Sequence, residues 1–370
     1  NLRRNRYDYV EQSTVGGLSV PNFYNIEASV DRPAVKSFKS LKKVRSIYGN
    51  VSLGYQNTIF LDATLRNDWS SSLPVENNSY LYPSVTTSFV FSELMGGSSN
   101  FFSFGKLRLS YAQVGSDVDA YEIATVYDVN TPYGSNPNLG VPNTASNPNL
   151  KPALSSSYEA GLDLRFWDGK VNLDFTVYRN DNRDQIITLT VPGSSGFTGA
   201  LVNAGNIRSQ GVELTIGGTP IQNKNFTWDM TLNMARNTST VVELAAGLDN
   251  RQLQSAYWGM TLNAKKGEEW GTLIGTGFSY ADNGLPIINE DGSYVTEQNV
   301  DLGSTLPTAT GGFTNTFRYK NFDLTAFLEF QLGGQFYSVT KMFSAYSGLA
   351  AETAGLNDKG NPKRDPVDNG

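Results

Sequence analysis

Apolar side chains recur at every second position along most of this chain. From Arg45 to Tyr55, the series Ile47, Gly49, Val51, Leu53 and Tyr55 interleaves with Ser46, Tyr48, Asn50, Ser52 and Gly54. After Gln56-Asn57 the pattern resumes, with Ile59, Leu61, Ala63 and Leu65 set against Thr58, Asp62, Thr64 and Arg66. A period of two is the signature of a strand with two unlike faces, whereas a helix would repeat near 3.6. The same alternation returns at Val85–Phe91, Leu107–Tyr111, Tyr158–Phe166, Val171–Val177, Val212–Ile216, Trp228–Met234 and Phe322–Leu332. With their polar neighbours these runs approach the roughly 9–11 residues a tilted strand needs to cross a bilayer.

The connections sort into two kinds. Short ones are predicted at Gln56-Asn57, Met95–Asn100, Trp167–Lys170, Ile221–Asn225 and Lys320-Asn321. Long polar ones are predicted at Asn67–Tyr80, Gly115–Ser155, Asn182–Asn206 and Asn237–Gly267, and after Gly333. The two kinds alternate, as periplasmic turns and extracellular loops do in an outer-membrane barrel. The predicted fold class is therefore all-β, a transmembrane antiparallel up-and-down β-barrel of roughly ten to twelve strands here, closed within these residues or with further ones because lipid tolerates no bare strand edge. The chain divides into a leading barrel or loop segment (1–44), transmembrane strands with long extracellular loops (45–340) and an extracellular loop (341–370), and it reads as part of something larger. The rival architecture is a soluble β-sandwich, whose half-buried strands also alternate. Strand length and aromatics near strand ends (Tyr55, Trp69, Tyr82, Phe166, Trp167, Tyr319) favour the membrane.

Composition sharpens this picture. Only 17% of the 370 residues are charged and 39% are hydrophobic, while 20 Phe and 19 Tyr raise the aromatic share to 12%. Strands that give half their residues to lipid and half to a wet interior produce such a balance. The net charge of −6 argues against a nucleic-acid partner, which would need a basic face. The sequence has no Cys and no His. Disulfides, thiolate metal sites and the common His-dependent hydrolytic sets are therefore unavailable, and no carboxylate pair stands out to replace them. The chain does not read as an enzyme.

Several segments, in order, resemble the SusC/RagA-type TonB-dependent transporters of Bacteroidetes outer membranes. They are Phe60–Ser71, Tyr82-Pro83-Ser84-Val85, Gly105–Gly115, Asn147-Pro148-Asn149-Leu150-Lys151-Pro152, Asn203–Leu214, Asn225-Phe226-Thr227-Trp228 and Tyr319–Leu324. The resemblance covers about residues 45 to 340 and implies a barrel similar to a 22-stranded one. An N-terminal plug, a TonB-contacting segment and an aromatic closing strand, which the family carries, are not visible. The resemblance also implies localisation in the outer membrane and active import of a large glycan or peptide. The implied partners are a SusD-like surface lipoprotein acting as a lid, and TonB acting through the N-terminal part. A passive porin and a soluble extracellular binding protein are the alternative functions.

Candidate sites follow from loop chemistry. In Gly115–Ser155, Tyr121, Tyr133, Asn136 and Asn138 combine flat rings with amides, a combination suited to sugar or peptide recognition. Tyr257 and Trp258 offer the same in a second loop. Asp282-Asn283-Gly284 and Asn289-Glu290-Asp291-Gly292 gather oxygen ligands, but they lack calcium-loop spacing and read first as turns, so no cofactor is expected. Interior charges such as Asp62, Arg66, Asp163 and Glu213 are expected to pair with one another or with plug residues. Tyr337–Tyr346 is expected to form a short loop helix.

Overall fold

The computed structural model describes residues 1–95, 101–245, 247–255, 259–357 and 359–364. In chain order the first strands are β1 (Leu2–Leu18), β2 (Ser29–Tyr55), β3 (Ile59–Ser70), β4 (Ser79–Phe89), β5 (Phe102–Ser116), β6 (Asp128–Tyr133), β7 (Asn136–Gly140) and β8 (Thr144–Ala145). Next come β9 (Ala153–Phe166), β10 (Val171–Arg183), β11 (Ile186–Thr190), β12 (Gly199–Asn203), β13 (Asn206–Gln222) and β14 (Phe226–Glu243). The rest are β15 (Asn250–Ser255), β16 (Thr261–Lys265), β17 (Thr272–Phe278), β18 (Thr296–Ser304), β19 (Pro307–Tyr319), β20 (Phe322–Gly333) and the helix α1 (Val339–Ser347). Eleven strands form the largest sheet, in the neighbour order β1-β2-β3-β4-β5-β9-β10-β13-β14-β19-β20. The chain forms two compact units, one of Asn1–Leu164 with Tyr178–Asn206 and another of Arg165–Val177 with Ile207–Gly370.

In the first unit β1 to β5 pair antiparallel in succession. Cross-strand partners share a face, so the register reads out each face. The row Val51–Ala63–Val85–Tyr111 is apolar, and the adjacent row Ser52–Asp62–Thr86–Ser110 is polar. Polar rows are laced by side-chain bonds: the Ser52 hydroxyl donates to Asp62 at 2.5 Å, and the Thr64 and Ser84 hydroxyls meet at 2.5 Å. The apolar rows stay uncovered, with Leu53 59% exposed.

The second unit repeats the scheme. Trp228–Phe317–Leu324 and Leu232–Phe313–Leu328 are apolar rows, and Asp229–Thr316–Thr325 is polar. Leu328 is 63% exposed. Among the described residues, the buried apolar side chains gather in loops and strand ends. Two clusters stand out among them, Leu73, Tyr80 and Leu150 in the first unit and Val241, Leu244 and Ala264 in the second. A soluble sandwich would bury its strand rows against a second sheet, and such rows left in water would be an aggregation surface. Lipid is the solvent that suits them. Among the described residues no helix is long and apolar enough to cross a membrane, so crossing falls to the strands.

Three expectations need correction. Strand β2 begins at Ser29, not near Arg45, because the charged stretch Lys36–Arg45 obscures its alternation while it pairs with β1. The boundary at 44/45 therefore cuts a continuous strand. The connection between β4 and β5 is longer than a turn: it spans 90–101, with a 3-10 helix over Phe91–Met95, and residues 96–100 lie outside the described residues. The loop assigned to Asn237–Gly267 starts after Glu243, runs to 306 and carries the four-stranded sheet β15-β16-β17-β18. The short connections at 56–58, 167–170, 223–225 and 320–321 agree with expectation. Helix α1 also agrees to within two residues; Ser338 caps it by accepting the Lys341 amide at 3.2 Å.

Candidate functional site

Polar side chains accumulate where the first unit carries its long connections, on the polar face of β2, β3 and β4. Alternation places Ser46, Arg66, Asp68, Ser70, Tyr80 and Tyr82 there together. Arg66 binds Asp68 at 2.8 Å and the Ser46 hydroxyl at 3.1 Å, and the Tyr82 hydroxyl donates to Asp68 at 2.5 Å. The paired carboxylate is buried and hydrogen-bonded, as a buried charge must be. Arg66 thus finds its partner two positions along its own strand, while Asp62 takes a hydroxyl. Further out along the pleat, Lys42 donates to Asp117 at 2.6 Å and to the Val118 carbonyl at 2.7 Å. The Ser70 hydroxyl donates to the other Asp117 oxygen. The chain leaving β5 is drawn by these bonds over the middle of β2 and the end of β3.

Two long loops are then sewn together over this face. Leu150 is 0% exposed, held by Leu73 and Tyr80 with Ile186 and Leu201 packed alongside. The Asn203 side chain accepts from the Lys151 amide at 2.7 Å and donates to the carbonyls of Lys151 at 2.7 Å and Asp184 at 3.0 Å. The Asn143 carbonyl accepts from the amides of Thr198 and Gly199, extending the short parallel pairing of β8 with β12. The segments Asn147–Pro152 and Asn203–Asn206, which the sequence alone could only set in order, therefore meet in space. One supplies the apolar plug and the other the amide that clamps it.

Beneath the seam lies a cavity of about 580 Å³. Its polar lining includes Asp117, Asp119, Glu122, Asn182, Gln185 and Thr188. Lys42 balances Asp117, whereas Asp119 and Glu122 have no ion-pair partner among the described residues. Such a wall accepts hydrogen bonds from a donor-rich solute.

The predicted residues are distributed unevenly. Tyr121 adopts φ 78° and sets its ring 6.5 Å from Phe38, which also contacts Tyr7 at 6.3 Å. Tyr121 thereby stands over the polar face of the β1–β2 hairpin. Tyr133, Asn136 and Asn138 come together in the separate β6–β7 hairpin, with Tyr133 paired to Asn136 and 85% exposed. Tyr257 and Trp258 lie outside the described residues. The acidic residues of the cavity are not among the predicted ones, because residue type alone favours the tyrosines of the same loop. The signal that could have found them is the spacing Asp117, Asp119, Glu122 directly after the β5 alternation ends. In the loop of the second unit, Asn283 and Asp291 spend side-chain oxygens on the amides of Leu285 and Ser293, as turn residues do.

These features have counterparts in known proteins. A family model described as TonB dependent receptor-like, beta-barrel, matches residues 2–348. The TonB-dependent receptor P3 of Formosa agariphila is 27% identical over 94% of this chain and 37% of its own length. The TonB-dependent receptor SusC of Bacteroides thetaiotaomicron is 26% identical over 85% of this chain and 35% of its own length. The chain thus spans little more than a third of these relatives. Among solved structures, the RagAB peptide transporter superposes with a TM-score of 0.74 at 22% identity, covering 89% of this chain and 38% of that one. The strand register, the uncovered apolar rows and the extent of the match lead to one conclusion: the chain belongs to the TonB-dependent receptor-like β-barrel family of the bacterial outer membrane.

Proposed function

We propose that this chain supplies barrel wall and extracellular mouth to an active importer of a large nutrient, an oligosaccharide or a peptide. In this reading TonB drives the receptor through its N-terminal part, a SusD-like surface lipoprotein covers the mouth, and the receptor performs no catalytic step. The observation that carries the reading is the sealed junction of two long loops over a cavity lined by Asp119, Glu122, Asn182 and Gln185. A pore meant only for passive diffusion has no need to order so much chain at its entrance. Relatives described as a peptide importer and as SusC support the class of activity, and neither fixes the solute.

The test is growth of the source bacterium on oligosaccharide or peptide as sole carbon source, with the receptor gene deleted, restored, or restored in cells lacking TonB. Import predicts that one nutrient class supports growth only when receptor and TonB are both present. Growth that needs the receptor but not TonB would leave a passive channel, and growth that needs neither would end the proposal.

A further inference from the structure

The apolar face of the first unit ends abruptly at its loop-bearing end. Along β2 it runs Ile47, Val51, Leu53 and Tyr55, and the next positions on the same face are Arg45 and Lys43. Register completes the patch. Arg45 lies between Leu2 and Trp69, and Lys43 lies opposite Arg4. Arg4, Lys43 and Arg45 are all exposed and therefore project from the lipid side of the wall, directly above the apolar band.

In lacking an ion-pair partner among the described residues they differ from Arg6 and Lys42 of the same hairpin, each of which holds a carboxylate. Further out on the same face, Arg6 pairs with Asp8 at 2.7 Å, and Asp8 also faces Lys39. On the opposite face Glu11 lies across from Lys36, and Lys42 holds Asp117 at 2.6 Å. Arg4, Lys43 and Arg45 have no ion-pair partner among the described residues. Like charges set directly opposite across two strands repel, in a chain whose net charge is −6. An anion between them would remove that cost.

Depth decides which anion. The end bearing the long connections 19–28, 71–78 and 117–152 is the extracellular one in this architecture, so the patch lies level with the outer leaflet. Trp69 beside Arg45 occupies the interfacial position aromatic rings favour. Guanidinium groups match phosphate oxygens in pairs, and the lysine adds a point charge. We infer that Arg4, Lys43 and Arg45 form a binding site for the phosphate-bearing headgroup of an outer-leaflet lipid, whose acyl chains lie along Ile47 and Val51.

The test uses the full-length receptor in nonionic detergent, offered an equimolar mixture of phosphatidylglycerol and phosphatidylcholine and read by native mass spectrometry. Three basic residues close to one phosphate should favour the anionic lipid by about tenfold. Replacing Arg4→Gln, Lys43→Gln and Arg45→Gln together should bring the ratio close to parity. Replacing Arg6→Gln with Lys39→Gln, which changes charge nearby without touching the patch, should leave the preference in place. Heat-modifiable gel mobility checks that each variant is folded, and Arg45→Gln alone, expected to show a partial loss, serves if the triple variant does not fold. A wild-type receptor with no preference would overturn the inference, as would a folded triple variant that keeps it, or full competition by inorganic phosphate. None of these results bears on TonB-dependent growth, so the import reading stands or falls separately.

Discussion

Leu150 and Asn203 do different work at the same seam. Leu150 is wholly enclosed by Leu73 and Tyr80, so truncation leaves a void that neighbours anchored to strand ends cannot fill. Leu150→Ala should cost about 2–5 kcal/mol of local stability. Asn203 satisfies both main-chain groups of Lys151, and no aliphatic side chain can replace those bonds. Asn203→Ala should cost about 1–2 kcal/mol. Hydrogen exchange is the suitable readout, because the wall need not open. Both variants should lose protection across 117–152 and 184–205 while β2 to β5 keep theirs. Unchanged exchange in the loops would mean the seam does not hold them. Asp291 shows the same economy in the second unit: hydrogen bonds from the Ser293 hydroxyl and amide keep its carboxyl below the usual carboxylate range.

At the scale of elements, the hairpins carry the register. Gln56 and Asn57 both hold left-handed backbone angles, at φ 47° and 52°, and the Thr58 amide closes the turn onto the Tyr55 carbonyl at 2.9 Å. This is the primed turn that matches strand twist. Asn57 tolerates it, but a β-branched residue does not, and Asn57→Val should destabilise the hairpin by about 1–2 kcal/mol. Asn57→Gly should be neutral or stabilising. Urea titration of the refolded receptor in vesicles would distinguish them, and equal midpoints would refute the turn argument. Such hairpins were legible in sequence because period-two runs and turn dipeptides are local signals. The β1–β2 hairpin was not, since Lys36 to Arg45 puts cations on both faces of the strand, Lys36 and Lys42 on one and Lys39, Lys43 and Arg45 on the other. The cavity was not legible. Residue type favours Tyr121, which does not line it, whereas the bonds of Asn203 to Lys151 and of Asp117 to Lys42 join segments 52 and 75 residues apart, which no local pattern encodes.

For the whole molecule, the decisive question is which solvent meets each face, and one strand can answer it. Val51 lies midway along the apolar run of β2, exposed, with Ala63 as its neighbour. Asn50, one position away, belongs to the polar face with Thr64. In a membrane wall, Val51→Arg places a cation in hydrocarbon near the midplane and should cost about 2–4 kcal/mol, while Asn50→Arg meets water and should cost little. In a soluble protein both positions would be open surface, and neither substitution would matter much. Folding into phospholipid vesicles, followed by gel mobility across a urea series, measures the difference directly. A large shift for Val51→Arg alone is the outcome the strand register requires. Equal shifts would mean that the apolar rows are not turned to lipid, and both the import reading and the headgroup site would lose the surface on which they are built.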